Sequence, residues 1–226
     1  MKKIYLLTIV FLLPIILFAS QHNSIAETTE NQKPGELTFK AKYSSLWFKH
    51  DGLSETDDKI VETTLPGILF DPPQEIKTIN KKESDNSTPE SVITSYFSAG
   101  KAGNLKWILS HFDGEEKEKM KASLKAGNNL KESKEAANLM KSIYITGKAD
   151  YKDYIILFIE QDFESGKKAT EAIACKKINE GWKLTNEISA DKTFDIVFAA
   201  LNAGEVSDGK NSKNKIEIKK PKVRVK

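Results

Sequence analysis

Between residues 88 and 188 the hydrophobic period of this chain switches near residue 140 from that of helices to that of strands, and that change constrains the fold more than any other feature. Between Thr88 and Met140 apolar residues recur every three or four positions; from Ile143 to Ile188 they fall in short strand-like runs separated by turn residues. A period near 3.6 buries one stripe of a helix, and a period of 2 buries one face of a strand. Helices followed by strands joined through short turns predict an α+β domain, with N-terminal helices packed on a curved antiparallel sheet.

The boundaries follow from local chemistry. Thr88 as N-cap, Pro89 at the first helical position and Glu90 in the first turn predict a helix start, because proline's missing N–H costs nothing there. Val92, Tyr96 and Phe97 give its apolar stripe, and Gly100 ends it. A short second helix turns Leu105, Trp107, Ile108 and Leu109 inward. A third opens at Asp113, with Glu116 three residues on, and a fourth spans about 131–140. Strands are predicted over 143–149, 151–163, 169–178 and 182–188, with turns at 164–167 and 179–181. Phe194, Val197, Phe198 and Leu201 then mark an extra C-terminal helix over 191–204.

Upstream, Leu37, Phe39, Ala41 and Tyr43 predict a strand near 36–48, and the polar run before Thr88 reads as a linker. Residues 27–86 thus form a small N-terminal annex. Lys2 and Lys3, the apolar run Ile4–Ala19 and the small-residue site Ser24-Ile25-Ala26 have the order of an export signal cleaved near Ala26. The run is 16 residues, short of the roughly 20 needed to span a bilayer. Periplasm and extracellular space are both open as destinations. Cys175 is the only cysteine, so no intramolecular disulfide is possible and the exported fold rests on its core.

Charge is unevenly placed. After residue 206 eight basic residues face only Asp208 and Glu217, a net +6, whereas residues 27–206 carry −5. The tail over 205–226 has the composition of a disordered terminus that contacts anionic envelope surface. A single arginine among 35 basic residues argues against a nucleic-acid partner, since bidentate phosphate and guanine recognition favours arginine.

The segments Thr88-Pro89-Glu90, Tyr96-Phe97-Ser98-Ala99-Gly100-Lys101-Ala102-Gly103-Asn104-Leu105 and Gly181-Trp182-Lys183-Leu184 resemble the nuclear transport factor two-like superfamily. That superfamily is a cystatin-like α+β cone with ketosteroid isomerases, polyketide cyclases and exported domains of unknown function among its members. The resemblance covers about 87–190 and implies a conical pocket between sheet and helices. It carries over no catalytic residue, because the superfold hosts enzymes and non-enzymes alike.

With the hairpin turn centred on Ser165-Gly166, Phe158 faces Ile173, Ile156 faces Cys175 and Glu160 faces Glu171. The pocket would then be lined by Tyr96, Trp107, Tyr154, Phe158, Ile173 and Trp182. The opposite face, with Ile155, Leu157 and Ile159, would be covered by the annex, a second copy of the chain or a protein partner.

Glu160 and Glu171 are the acid–base candidates, since two facing carboxylates repel and push one of them to stay protonated; the plainer reading is two solvated strand-end charges. His111 is read as a helix-end residue and Cys175 as core. His50 with Asp51, Asp57 and Asp58 lacks metal-loop spacing. No metal or cofactor motif is visible. The sequence therefore predicts an exported, non-catalytic module binding a small ligand or a protein. The alternatives are a cone-pocket isomerase, cyclase or hydrolase using Glu160 or Glu171, and an envelope-tethered structural protein.

Overall fold

The computed structural model describes residues 34–48, 59–127 and 129–208. The export signal, the His50 cluster and the basic tail beyond Asp208 lie outside the described residues. The fold is α+β: a seven-stranded, curved antiparallel sheet with five helices. The strands are β1 Gly35–Lys42, β2 Ile60–Glu75, β3 Met140–Tyr151, β4 Tyr154–Phe163, β5 Lys168–Ile178, β6 Gly181–Thr185 and β7 Val206–Asp208. They lie in the order β6-β5-β4-β3-β2-β1-β7. Helices α1 Pro89–Ala102, α2 Leu105–Leu109, α3 Gly114–Lys125 and α4 Asn129–Asn138 precede β3, and α5 Lys192–Ala203 follows β6.

The starts of α1, α2 and α3 lie at the predicted residues, although at α3 Asp113 makes no side-chain cap bond and Glu116 accepts from Asn186 N instead of closing a capping box. The Thr88 hydroxyl accepts from Ser91 N at 3.0 Å, and Asn104 Oδ1 accepts from Trp107 N at 3.1 Å. Helix α1 runs past Gly100 to Ala102 and ends at Gly103, whose φ of 62° is the left-handed conformation glycine adopts without a Cβ penalty.

The N-terminal segment is not a separate annex. Strand β1 pairs with β2 and β2 with β3, so both extend the sheet of the helical domain. Pro66 lies within β2, while Pro72 and Pro73 fall in the bulge between Leu69 and Gln74, where no pairing N–H is needed. A Cβ on Gly67 would come within 2.5 Å of the Lys148 carbonyl oxygen, and one on Gly147 equally close to that of Ile68. Nor is the run before Thr88 a free linker: the Asn86 carbonyl accepts from Trp182 N at 2.8 Å, and Ser84 Oγ accepts from Trp107 Nε1 at 3.1 Å.

The hairpin register corrects the predicted faces. Phe158 pairs with Ala172, Leu157 with Ile173 and Ile159 with Glu171, one residue off the prediction. The turn is a three-residue loop: Phe163 N donates to the Lys167 carbonyl at 2.9 Å and Gly166 takes φ 77°. A one-residue slip moves a whole strand's side chains to the other face. Ile155, Leu157 and Ile159 therefore belong to the core under α1 and α2, with Val92, Ile93, Phe97, Trp107 and Cys175. Ile156 and Phe158 face the other way, into a second core with Leu37, Phe39, Ile196 and Val197. Helix α5 packs against β1, β2 and β5, so the curved sheet wraps it and covers the face expected to need a partner. Phe39 meets Phe158 edge-to-face at 5.6 Å.

Candidate functional site

The register separates the predicted carboxylate pair. Glu160 points to the α5 side and pairs opposite Thr170; its carboxylate accepts from Lys168 Nζ at 2.7 Å. Glu171 points to the helix side. It therefore has no carboxylate partner there, and paired-carboxylate chemistry lacks its geometry.

What Glu171 has instead is Gln161, next to it on β4. Gln161 is 4% exposed and its Nε2 donates to Glu171 Oε2 at 2.9 Å. Glu171 Oε1 has no hydrogen-bond partner among the described residues, and the side chain keeps partial contact with solvent. Burial pushes the carboxyl up to about 7, against the opposing effect of the Gln161 bond. Lys168 gives no compensation, being turned to Glu160 at 2.7 Å and Asp162 at 3.3 Å.

Tyr96, one α1 turn past Val92, forms the wall on the helix side. Its ring packs against Phe97 at 5.7 Å, Phe112 at 5.8 Å and His111 at 6.3 Å, all edge-on. Its phenol is raised by burial and, in smaller part, by the negative charge of Glu171. The phenol oxygen has no hydrogen-bond partner among the described residues.

His111 completes the polar set in the same core. It is fully buried, and neither ring nitrogen has a hydrogen-bond partner among the described residues; the Ser95 carbonyl approaches outside hydrogen-bond geometry. Burial and then the charge of Lys183 hold its pKa down to about 4, so the ring is neutral at pH 7. The His111 carbonyl accepts from Leu184 N at 2.8 Å and fixes β6 against the end of α2.

The other expected lining residues divide. Tyr96, Trp107, Ile173 and Trp182 lie on the helix side, whereas Tyr154 and Phe158 lie on the α5 side. Trp107 is 3% exposed and serves the core. Cys175 is fully buried and its thiol is pushed up by burial, so it is no nucleophile at neutral pH. An open depression of about 320 Å³ lies elsewhere, between the start of α3 and the end of β6, rimmed by Asp113, Glu115, Glu116 and Glu187. Glu116 there accepts from Asn186 N at 2.6 Å and so ties α3 to the end of β6. Among the described residues no group of three or more His, Cys, Asp or Glu could hold a metal ion, and no helix is long and apolar enough to cross a membrane.

Gln161 and the Tyr96–His111 contact were missed by sequence reasoning. The signal for Gln161 was its parity with Glu171, which becomes visible only with the correct register. Comparison with family models, curated proteins and solved structures found no match.

Proposed function

We propose that this protein is an exported bacterial accessory module that binds a small, largely apolar ligand at the inner face of its sheet, without turnover. The observation that carries this reading is Glu171, partly open to solvent with Gln161 as its hydrogen-bond partner, on the sheet face that also carries Ile173 and Cys175 in an otherwise apolar cluster. Convergent polar groups with displaced pKa values in an apolar setting are the usual mark of a binding site. Catalysis by this set lacks a second acid–base group: Glu160 faces away, and His111 is sealed from solvent. Helices followed by an antiparallel meander also support placing residues 87–190 in the nuclear transport factor two-like superfamily. Export is supported by the order of residues 1–26, and an anionic envelope contact by the charge of the tail.

A second reading, a cone-pocket enzyme, has one observation in its favour: a carboxyl near 7 suits a general base at neutral pH. A fragment screen by NMR on the purified chain separates the two. Binding at Tyr96 and Glu171 with no chemical change in any bound compound is the expected result. A turned-over compound whose rate falls about 10²-fold or more in Glu171→Gln, with the fold intact, would establish the enzyme. Signal processing is tested by fractionation and N-terminal sequencing; a mature terminus at Glu27 is expected, and an intact Met1 in the membrane pellet would refute export.

A further inference from the structure

Strand β6 lies at one edge of the sheet, and segments that are not strands take up its outward N–H groups. It ends the strand order and pairs with β5 along one side. Along the other side Trp182 N donates to the Asn86 carbonyl and Leu184 N to the His111 carbonyl, each at 2.8 Å. Just past the strand Asn186 N donates to Glu116 Oε1 at 2.6 Å, and Lys183 Nζ reaches the Ser110 carbonyl at 2.7 Å. The corner between α2 and α3, residues 110–112, thus takes the place a further strand would occupy. Covering an edge in this way keeps its backbone groups from pairing with another chain.

The same corner carries His111, fully buried, with both ring nitrogens unpartnered and the Tyr96 ring edge-on at 6.3 Å. An imidazolium there would lack its hydration and both hydrogen-bond acceptors, so the closed corner holds the neutral ring. The titratable and charged groups on the elements packed around the corner are Tyr96 on α1, Lys183 on β6, and Asp113 and Glu116 at the start of α3. Lys183 opposes a second positive charge, and Glu116 is held by Asn186 N. We propose that the α2–α3 corner is an acid-released latch on the sheet: His111 takes up a proton only as the corner leaves β6, and this uncovers the N–H groups of Trp182 and Leu184. Ring and covering carbonyl belong to one residue, which is why exposing the first displaces the second. Burial and Lys183 hold the closed ring down to about 4 against an ordinary 6.5. The latch is therefore shut at pH 7, and opening becomes more favourable as pH falls from 6.5 toward 4.

Amide hydrogen exchange of the purified chain, read residue by residue by NMR and corrected for the intrinsic effect of pH, tests the latch. Between pH 7 and about pH 4.5 the protection of Trp182 and Leu184 should fall at least about ten-fold. At the lower pH it should be insensitive to dilute urea, the mark of a local opening, while Leu157 and Ile159 in β4 stay at least about ten-fold better protected. His111→Phe should abolish the pH response of the two edge amides. Glu116→Gln, which keeps an acceptor for Asn186 N and does not titrate, should leave the response in place. In the unsubstituted chain the His111 ring signals and the amide shifts of Trp182 and Leu184 should titrate with one midpoint, a readout that needs no variant to fold. Separate midpoints would overturn the proposal, as would a response that survives in His111→Phe or is lost in Glu116→Gln. Edge and core amides losing protection together, with equal urea dependence, would overturn it too, since acid would then be unfolding the whole chain.

Discussion

The two faces of the sheet bury their polar groups differently. At α5, Asp195 is 2% exposed, and its two oxygens accept from Trp47 N and Phe48 N, each at 2.9 Å. Asp191, one turn earlier, accepts from Thr193 N at 2.8 Å and from Tyr151 OH at 3.0 Å. These carboxylates cap a helix and pin the chain after β1 to it; every bond serves the fold. Under α1 and α2 the fully buried His111 has two unpartnered ring nitrogens, while Glu171 has one oxygen bonded by the protein and keeps contact with solvent; on the α5 side one oxygen each of Asp162 and Asp208 is buried without a hydrogen bond. An unsatisfied buried polar group destabilises by about 1–3 kcal/mol. Folds retain such losses at sites with another use; they occur on both faces, and the inner face is set apart by the fully buried His111 and by Glu171, whose carboxyl is pushed up by burial.

The largest expected effect tests which way β4 faces. Leu157 is fully buried under α1 and α2. Leu157→Lys should cost about 4 kcal/mol or more through an unpaired buried charge, and the chain should unfold at or below growth temperature in a thermal melt. On an outer face that merely awaits a partner, the same change would alter sedimentation and leave the melt of the monomer nearly unchanged.

The next effects are pH-dependent and of opposite sign. Glu171 has a folded pKa of about 7 against an ordinary 4.5. The folded state therefore retains a proton the unfolded state has lost, and stability falls as pH rises from about 4.5 through 7. Partial solvent contact reduces the full value of the shift, leaving about 2 kcal/mol. Glu171→Gln should raise stability by about that much at pH 8 and change it little at pH 5, as measured by urea unfolding at the two pH values. For His111 the folded pKa is about 4 against 6.5. The unfolded state binds the proton first, so stability is full above pH 6.5 and is lost as pH falls toward 4. His111→Phe should flatten that acid limb, again by about 2 kcal/mol, and leave the alkaline limb in place. If both limbs persist in the double variant, the unsatisfied groups of the inner face do not control the pH response.

How much of this was legible in the sequence depends on whether the signal was local. The caps at Thr88 and Asn104, the period change near 140 and the glycine after α5 are contacts within a few residues, and the helices and the meander follow from them. The length of β2 was hidden because its prolines read as breakers, whereas Pro66 is accommodated in the pairing with β1 and Pro72 and Pro73 fall in a bulge. The turn between the two strands predicted over 143–149 and 151–163 falls later than expected, at Lys152-Asp153, where Lys152 is a non-glycine residue at φ 53°, so Tyr151 ends β3 rather than opening β4. The site was lost by one residue. Whether the loop after Phe163 holds two residues or three depends on the conformation of Gly166, and that choice set which side of the sheet Glu160 and Phe158 occupy. Long-range pairing decides such a register, and the sequence of the turn alone does not.

The smallest effect is the sharpest control on the comparison, because it is the same substitution placed across the sheet. Glu160 and Glu171 lie on neighbouring strands, one residue out of register, and differ in the face they point to. Glu160 is part of an exposed ion pair with Lys168, whose side chains are 33% and 42% open to solvent. Pairs of this kind contribute about 0–1 kcal/mol, because water screens the attraction and two long side chains lose freedom in making it. Glu160→Gln should therefore shift stability by less than about 0.5 kcal/mol at pH 8, slightly toward destabilisation, since Lys168 keeps Asp162 at 3.3 Å. Glu171→Gln at the same pH should shift it further and in the opposite direction. Urea unfolding of the two variants side by side decides the matter: equal responses would mean that the carboxylates share one environment and that the two faces do not differ as described.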